Sequence, residues 1–136
     1  MRGIRQRRPA VPDECIVMEH ASSLHDHMRQ MLETQVVVAM RFHNLVCALN
    51  VGKPVISIGY SDKNQAIMAE MGLGEFYQPA DSLDVRLLIS HFEKILLDYD
   101  ELTRIIAEAA VGYRARVKEQ EMILNHTLLP GQASKT

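Results

Sequence analysis

The sequence predicts an α/β fold, a parallel sheet with helices on both faces, on three observations. From residue 14 onward, short β-branched runs alternate with stretches of helical apolar periodicity. The clearest of those runs, Val36 to Val38, has no polar alternation and suits a strand buried between two layers. Gly52 and Gly72 stand where helices should stop before the next strand begins. Strand, helix and strand in this succession close as parallel crossover units.

The elements follow in order. Cys15 to Met18 is a short apolar run read as a first strand. Leu24, Met28, Met31 and Leu32 then fall on one helix face, with Ser23 placed to cap its start. After the Val36 to Val38 strand, residues 42–51 are apolar nearly all round, as a deeply packed helix would be, and Gly52 with Pro54 stops it. Val55 to Ile58 is the next strand. Asp62 and Gln65 have the spacing of a capping box, Ile67 and Met71 share a face, and Gly72 ends that helix. A weak fourth strand is expected near Phe76. Asp81 should open a helix striped by Leu88, Phe92, Ile95 and Leu96. Asp98 with Glu101 should cap a last one striped by Leu102, Ile106, Ala109, Tyr113 and Val117.

A chain of 136 residues with 47% hydrophobic side chains can own a core, which removes any need for a disulfide scaffold. Cys15 and Cys47 stand apart, without metal-ligand spacing, and read as inert thiols in a reducing compartment. No run approaches the roughly 18 apolar residues of a membrane helix, so the expected location is cytoplasmic with no transmembrane segment. Arg2, Arg5, Arg7 and Arg8 crowd residues 1–13 ahead of a domain that is acidic in balance. They read as a flexible leader closed by Pro9 and Pro12, and nucleic acid is not an expected partner. The domain proper is expected over 14–124, with a frayed tail over 125–136.

In an open parallel sheet, ligands bind where strands end. Glu19 and His20 follow the first expected strand, Arg41 and His43 the second, and Tyr60, Ser61, Asp62 and Lys63 the third. Arg41 and His43 stand out, because a guanidinium fork and an imidazole beside a helix N-terminus suit a carboxylate or a phosphate. The bland alternative is that Arg41 pairs with a nearby acid and His43 closes the helix start. His25 and His27 lie two apart and so diverge on their helix, which favours a surface role over a metal site. Gly72-Leu73-Gly74 follows a helix rather than a strand, so it is no dinucleotide fingerprint. Met28, Met31, Met68 and Met71 read as core filling.

The Arg41-Phe42-His43 run, the Gly52-Lys53-Pro54 turn into the next strand, Tyr60 with Lys63, and the helix ending in Gly72-Leu73 form an ordered set. Over about residues 14–98 this set resembles the C-terminal part of the polysaccharide pyruvyl transferase family. The resemblance implies a Rossmann-like domain, the C-terminal lobe of a GT-B-like two-domain enzyme. Such an enzyme transfers the enolpyruvyl unit of phosphoenolpyruvate to a sugar hydroxyl pair, forming a pyruvyl ketal with release of phosphate in cell-surface polysaccharide synthesis. It implies Arg41 and His43 as catalytic and donor-binding residues and Lys63 as a further donor-binding cation. Phe42 stands where the family commonly has leucine, which keeps the position apolar. Glu19, His20, Tyr60 and Ser61 are secondary candidates from their places alone.

No metal and no cofactor beyond the donor substrate are expected, and the expected partners are phosphoenolpyruvate and a saccharide acceptor. The expectation is also that the chain is a fragment, weakly active or inactive alone, able to self-associate through its last helix. Two other readings stay open at this level: half of a GT-B glycosyltransferase that uses a nucleotide sugar, and a non-catalytic interaction module.

Overall fold

The computed structural model describes residues 12, 15, 16 and 18–128. Helix α1 (Leu24–Leu32) leads into strand β1 (Val37–Ala39), helix α2 (Phe42–Asn50) and strand β2 (Val55–Gly59). Helix α3 (Asp62–Glu70) follows, then a 3-10 turn at Gly74–Phe76, strand β3 (Tyr77–Pro79), a second 3-10 turn at Ala80–Ser82, and helices α4 (Val85–Leu97) and α5 (Tyr99–Leu128).

The three strands pair in parallel in the order β1-β2-β3. All five β2 residues are buried. Successive side chains of a strand point to opposite faces, so β2 is covered on both sides. Around it gather Leu45, Ala48 and Leu49 of α2, Met68 of α3, Phe76, Ile95 of α4, and Leu102 and Ile106 of α5. Met68 and Met71 are buried and Met31 packs against this core, the filling role expected of them.

Local rules place most helix ends. The Ser23 hydroxyl accepts from the Asp26 amide at 3.1 Å, while Ser22 Oγ donates to the Asp26 carboxylate at 2.6 Å. The Ser22 and Ser23 hydroxyls hold the Asp26 carboxyl below its ordinary range. Gly52 and Gly72 take φ of +74° and +72°, the left-handed conformation that ends a helix without the penalty a side chain would bring. A Cβ on Gly72 would also come within 2.8 Å of Ile105 Cγ2, so there the bare backbone lets α5 close over the end of α3.

Several expectations are corrected. Cys15, Ile16 and Met18 lie outside any strand, and Val17 lies outside the described residues. Cys15 and Met18 are exposed, so the described residues of this segment neither join the sheet nor shield the thiol. Cys47 is buried, and burial pushes its thiol up. The described sheet therefore has three strands. The strand expected at Val36 to Val38 is shifted by one residue and lies at an edge, where Val38 is 50% exposed; β2 is the strand buried on both faces.

The strand near Phe76 begins at Tyr77, because Phe76 turns into the core within the 3-10 segment. Ser61 rather than Asp62 is the N-cap residue of α3, and its hydroxyl reaches the Asn64 side chain instead of a backbone amide. Helix α4 starts at Val85, not at Asp81. The Asp84 carboxylate captures the amides of Arg86 and Leu87, while Gln78 Oε1 accepts from the Asp84 amide at 3.0 Å. Its buried face carries His91 and Ile95, leaving Phe92 and Leu96 exposed. On α5, Leu102 and Ile106 are buried as expected but Val117 is exposed, since the helix outruns the sheet. The helix also continues through residues 125–128 of the expected tail. The rest of that tail, and all of the expected leader but Pro12, lie outside the described residues.

His91 is 8% exposed, its ring edge-on to Phe76 with centroids 5.5 Å apart, and its Nδ1 has no protein partner among the described residues. Burial lowers its pKa below the usual 6.5; the nearby Lys94 ammonium acts in the same direction and Glu75 opposes it. The unfolded chain therefore binds the proton more readily, so stability is complete above pH 6.5 and declines as pH falls below it toward the lowered folded value. Thermal unfolding followed from about pH 7.5 to about pH 5 should show a falling midpoint that flattens in His91→Phe. Equal slopes in the two proteins would contradict this role for His91.

Candidate functional site

Because β1, β2 and β3 run parallel, the turns that leave them open at one edge of the sheet. That edge is stepped. Ala39, the last residue of β1, pairs with Ser57, whereas Gly59 and Pro79 end β2 and β3 at the same level. The turn after β1 thus leaves the sheet two positions earlier than its neighbour.

Arg41 occupies the N-cap position of α2 in extended conformation, φ −98° and ψ 141°, with no side-chain cap on the first turn. The first amides of α2 are therefore not closed by an Asp or Ser oxygen, which leaves the positive end of the helix available to an anion. Arg41 and His43 are both exposed, and the imidazole lies edge-on to Phe42 with centroids 6.3 Å apart. Among the described residues no carboxylate pairs with Arg41 or with Lys63, so the ion pair that the bland reading required is not made there.

The turn after β2 is anchored from below. Asn64, 3% exposed, donates through Nδ2 to the buried Ser57 hydroxyl at 3.3 Å and accepts at Oδ1 from Ser61 Oγ at 3.2 Å. A Cβ on Gly59 would meet Tyr77 Cε2 at 2.7 Å and Asn64 Cβ at 2.8 Å, so glycine is what allows the tyrosine ring and the asparagine to close over the strand end. Tyr60 projects outward, 77% exposed. Together with Ser61, Asp62, Gln65, Tyr77 and Asp81 it borders a cleft of ≈ 540 Å³ between the ends of β2 and β3.

The sequence candidates thus divide. Tyr60 and Ser61 enter the cleft, whereas Arg41, His43 and Lys63 do not line it. Lys63 sits exposed in the first turn of α3. Glu19 and His20 are exposed in an irregular segment before α1, and with no strand ahead of them among the described residues their strand-end placement is not seen. Sequence reasoning missed Tyr77, Gln65 and Asp81 as parts of this edge. Asp81 was legible as a helix opener, but it took a 3-10 turn immediately beyond β3 instead. Among the described residues no three His, Cys, Asp or Glu side chains gather as a metal site.

Asn64→Ala should destabilise the fold by about 1–3 kcal/mol in denaturant unfolding, since it strips the buried Ser57 hydroxyl of its partner. An unchanged midpoint would remove Asn64 as the anchor of the Tyr60–Ser61 turn.

Comparison with known proteins adds the following. The family model described as polysaccharide pyruvyl transferase matches residues 2–62, a span that contains the Arg41 and His43 turn and all of β2. A relative, the amylovoran biosynthesis protein AmsJ of Erwinia amylovora, is 28% identical over 91 residues, 67% of this chain. The matched segment spans 20% of that relative's length. No solved structure matches the chain. Among the described residues no helix is long and apolar enough to cross a membrane.

Proposed function

We propose, from the match of residues 2–62 to the polysaccharide pyruvyl transferase family and the likeness to the amylovoran relative, that the chain forms the donor-side lobe of a pyruvyl transferase. The enzyme would be two-lobed and GT-B-like, taking phosphoenolpyruvate as donor and a saccharide as acceptor. The observation that carries this reading is the turn after β1: an arginine without a carboxylate partner among the described residues, a histidine two positions on, and a helix N-terminus without a side-chain cap.

Phosphoenolpyruvate brings a carboxylate and a phosphate. Arg41 offers the bidentate fork that a planar carboxylate or a phosphate accepts, and Lys63, one strand over, offers a point charge for phosphate. Ketal formation starts with a proton added to the methylene carbon, which leaves an oxocarbenium-like centre at the neighbouring carbon. One sugar hydroxyl attacks that centre, and a second displaces phosphate. The methyl group gains one hydroxyl proton and the departing phosphate takes the other. His43, an imidazole that can both give and take a proton, is the residue type suited to either transfer, as acid toward the methylene carbon or as donor to the leaving phosphate oxygen.

Phosphate release from phosphoenolpyruvate, measured with saccharide acceptors on the longest native polypeptide that carries this segment, tests the reading. Arg41→Ala and His43→Ala should each slow it about tenfold or more, roughly 1.4 kcal/mol of transition-state stabilisation apiece. Near-native rates in both variants would overturn the assignment.

A further inference from the structure

The cleft at the ends of β2 and β3 has a chemistry opposite to that of the Arg41 turn. Its border carries the carboxylates of Asp62 and Asp81, the hydroxyls of Tyr60, Ser61 and Tyr77, and the amide of Gln65, but no lysine, arginine or histidine. Two carboxylates without a cation repel a donor that is itself a carboxylate and a phosphate ester. The same groups are what an uncharged, hydroxyl-rich molecule needs: ionised carboxylates accept from its O–H groups, while hydroxyls and an amide give and take in either sense.

Shape agrees with chemistry. At ≈ 540 Å³ the cleft falls in the size range of small-ligand sites, about 300–1,000 Å³, which accommodates a pyranose ring or a short saccharide. Tyr60 keeps most of its ring in solvent at the rim, and the Tyr77 ring lies against the bare Cα of Gly59. These are two apolar surfaces on which the C–H face of a sugar can rest, with polar groups close by to fix its orientation.

We infer that this cleft is a saccharide-binding subsite, with Asp81 and Asp62 accepting from sugar hydroxyls and Tyr60 stacking on the ring. The inference rests on the proposed pyruvyl transfer for its purpose: the stepped edge sets a cationic donor turn at β1 beside an acidic, hydroxyl-rich acceptor cleft at β2 and β3. Asp62, Asp81 and Tyr60 are then specificity residues for the acceptor.

Saturation-transfer NMR on this chain tests it, with an equimolar mixture of the methyl α-glycosides of glucose, galactose and mannose as probe and broadening of the phosphoenolpyruvate 31P line read in parallel. Transfer to at least one glycoside is expected, reduced about fivefold or more in Tyr60→Ala and in Asp81→Asn, the scale of one lost hydrogen bond or contact. Both side chains are exposed, so the fold should be spared, and the amide spectrum checks that. Donor broadening should persist in Asp81→Asn.

Absent transfer, transfer equal in the variants, or transfer displaced by phosphoenolpyruvate would overturn the subsite. Glycoside transfer that depends on Tyr60 and Asp81, with no donor broadening, would keep the subsite and count against the donor reading alone. Donor broadening without glycoside transfer would do the reverse.

Discussion

The burial of β2 on both faces is the constraint on which the rest depends. Five consecutive residues, Val55 to Gly59, are removed from solvent, and their backbone groups find partners in β1 on one side and β3 on the other. A slip of one residue would exchange Ile56 and Ile58 with Val55, Ser57 and Gly59 between two differently shaped layers, so the register is tightly held. Parallel pairing then dictates that all three strands end at the same edge and that α2 and α3 begin there. The cationic turn and the acidic cleft are neighbours for that reason.

The strand's polar content is set by the same burial. Ser57 lies at 0% exposure and is tolerated through its bond from Asn64, which in turn receives Ser61 Oγ. One buried asparagine therefore ties the middle of the central strand to the turn that carries Tyr60 and Ser61. Gly59 completes the arrangement, since the space a side chain would need is occupied by Tyr77 and Asn64.

What the sequence made legible follows from how local each signal was. The Ser23 cap, the Gly52 and Gly72 stops and the Val55 to Ile58 run act over a few residues, and each appears close to where it was read. The apolar run Cys15 to Met18 was misleading because strand formation needs a partner, and β1 instead presents a half-exposed edge with Val38 outward. Asp81 and Asp84 both had the residue type of a cap. The choice fell to Asp84 because Gln78, in β3, holds its amide, a contact invisible to periodicity. The Arg41 and His43 turn was legible because it is contiguous. The cleft was not, because Tyr77 and Asp81 reach Tyr60 only through the β2–β3 pairing.

On the proposed reading, donor recognition centres on Arg41 and His43 in the turn after β1, with Lys63 one strand over, and the cleft between the ends of β2 and β3 is left to the acceptor. The most direct measurement is side-chain NMR of the Arg41 guanidinium and the His43 imidazole during a phosphoenolpyruvate titration of this chain. Saturable shifts are expected at both side chains, with the backbone signals of Tyr77 to Asp81 nearly still. Shifts centred on Tyr77 to Asp81, or none at Arg41 and His43 at millimolar donor, would contradict it.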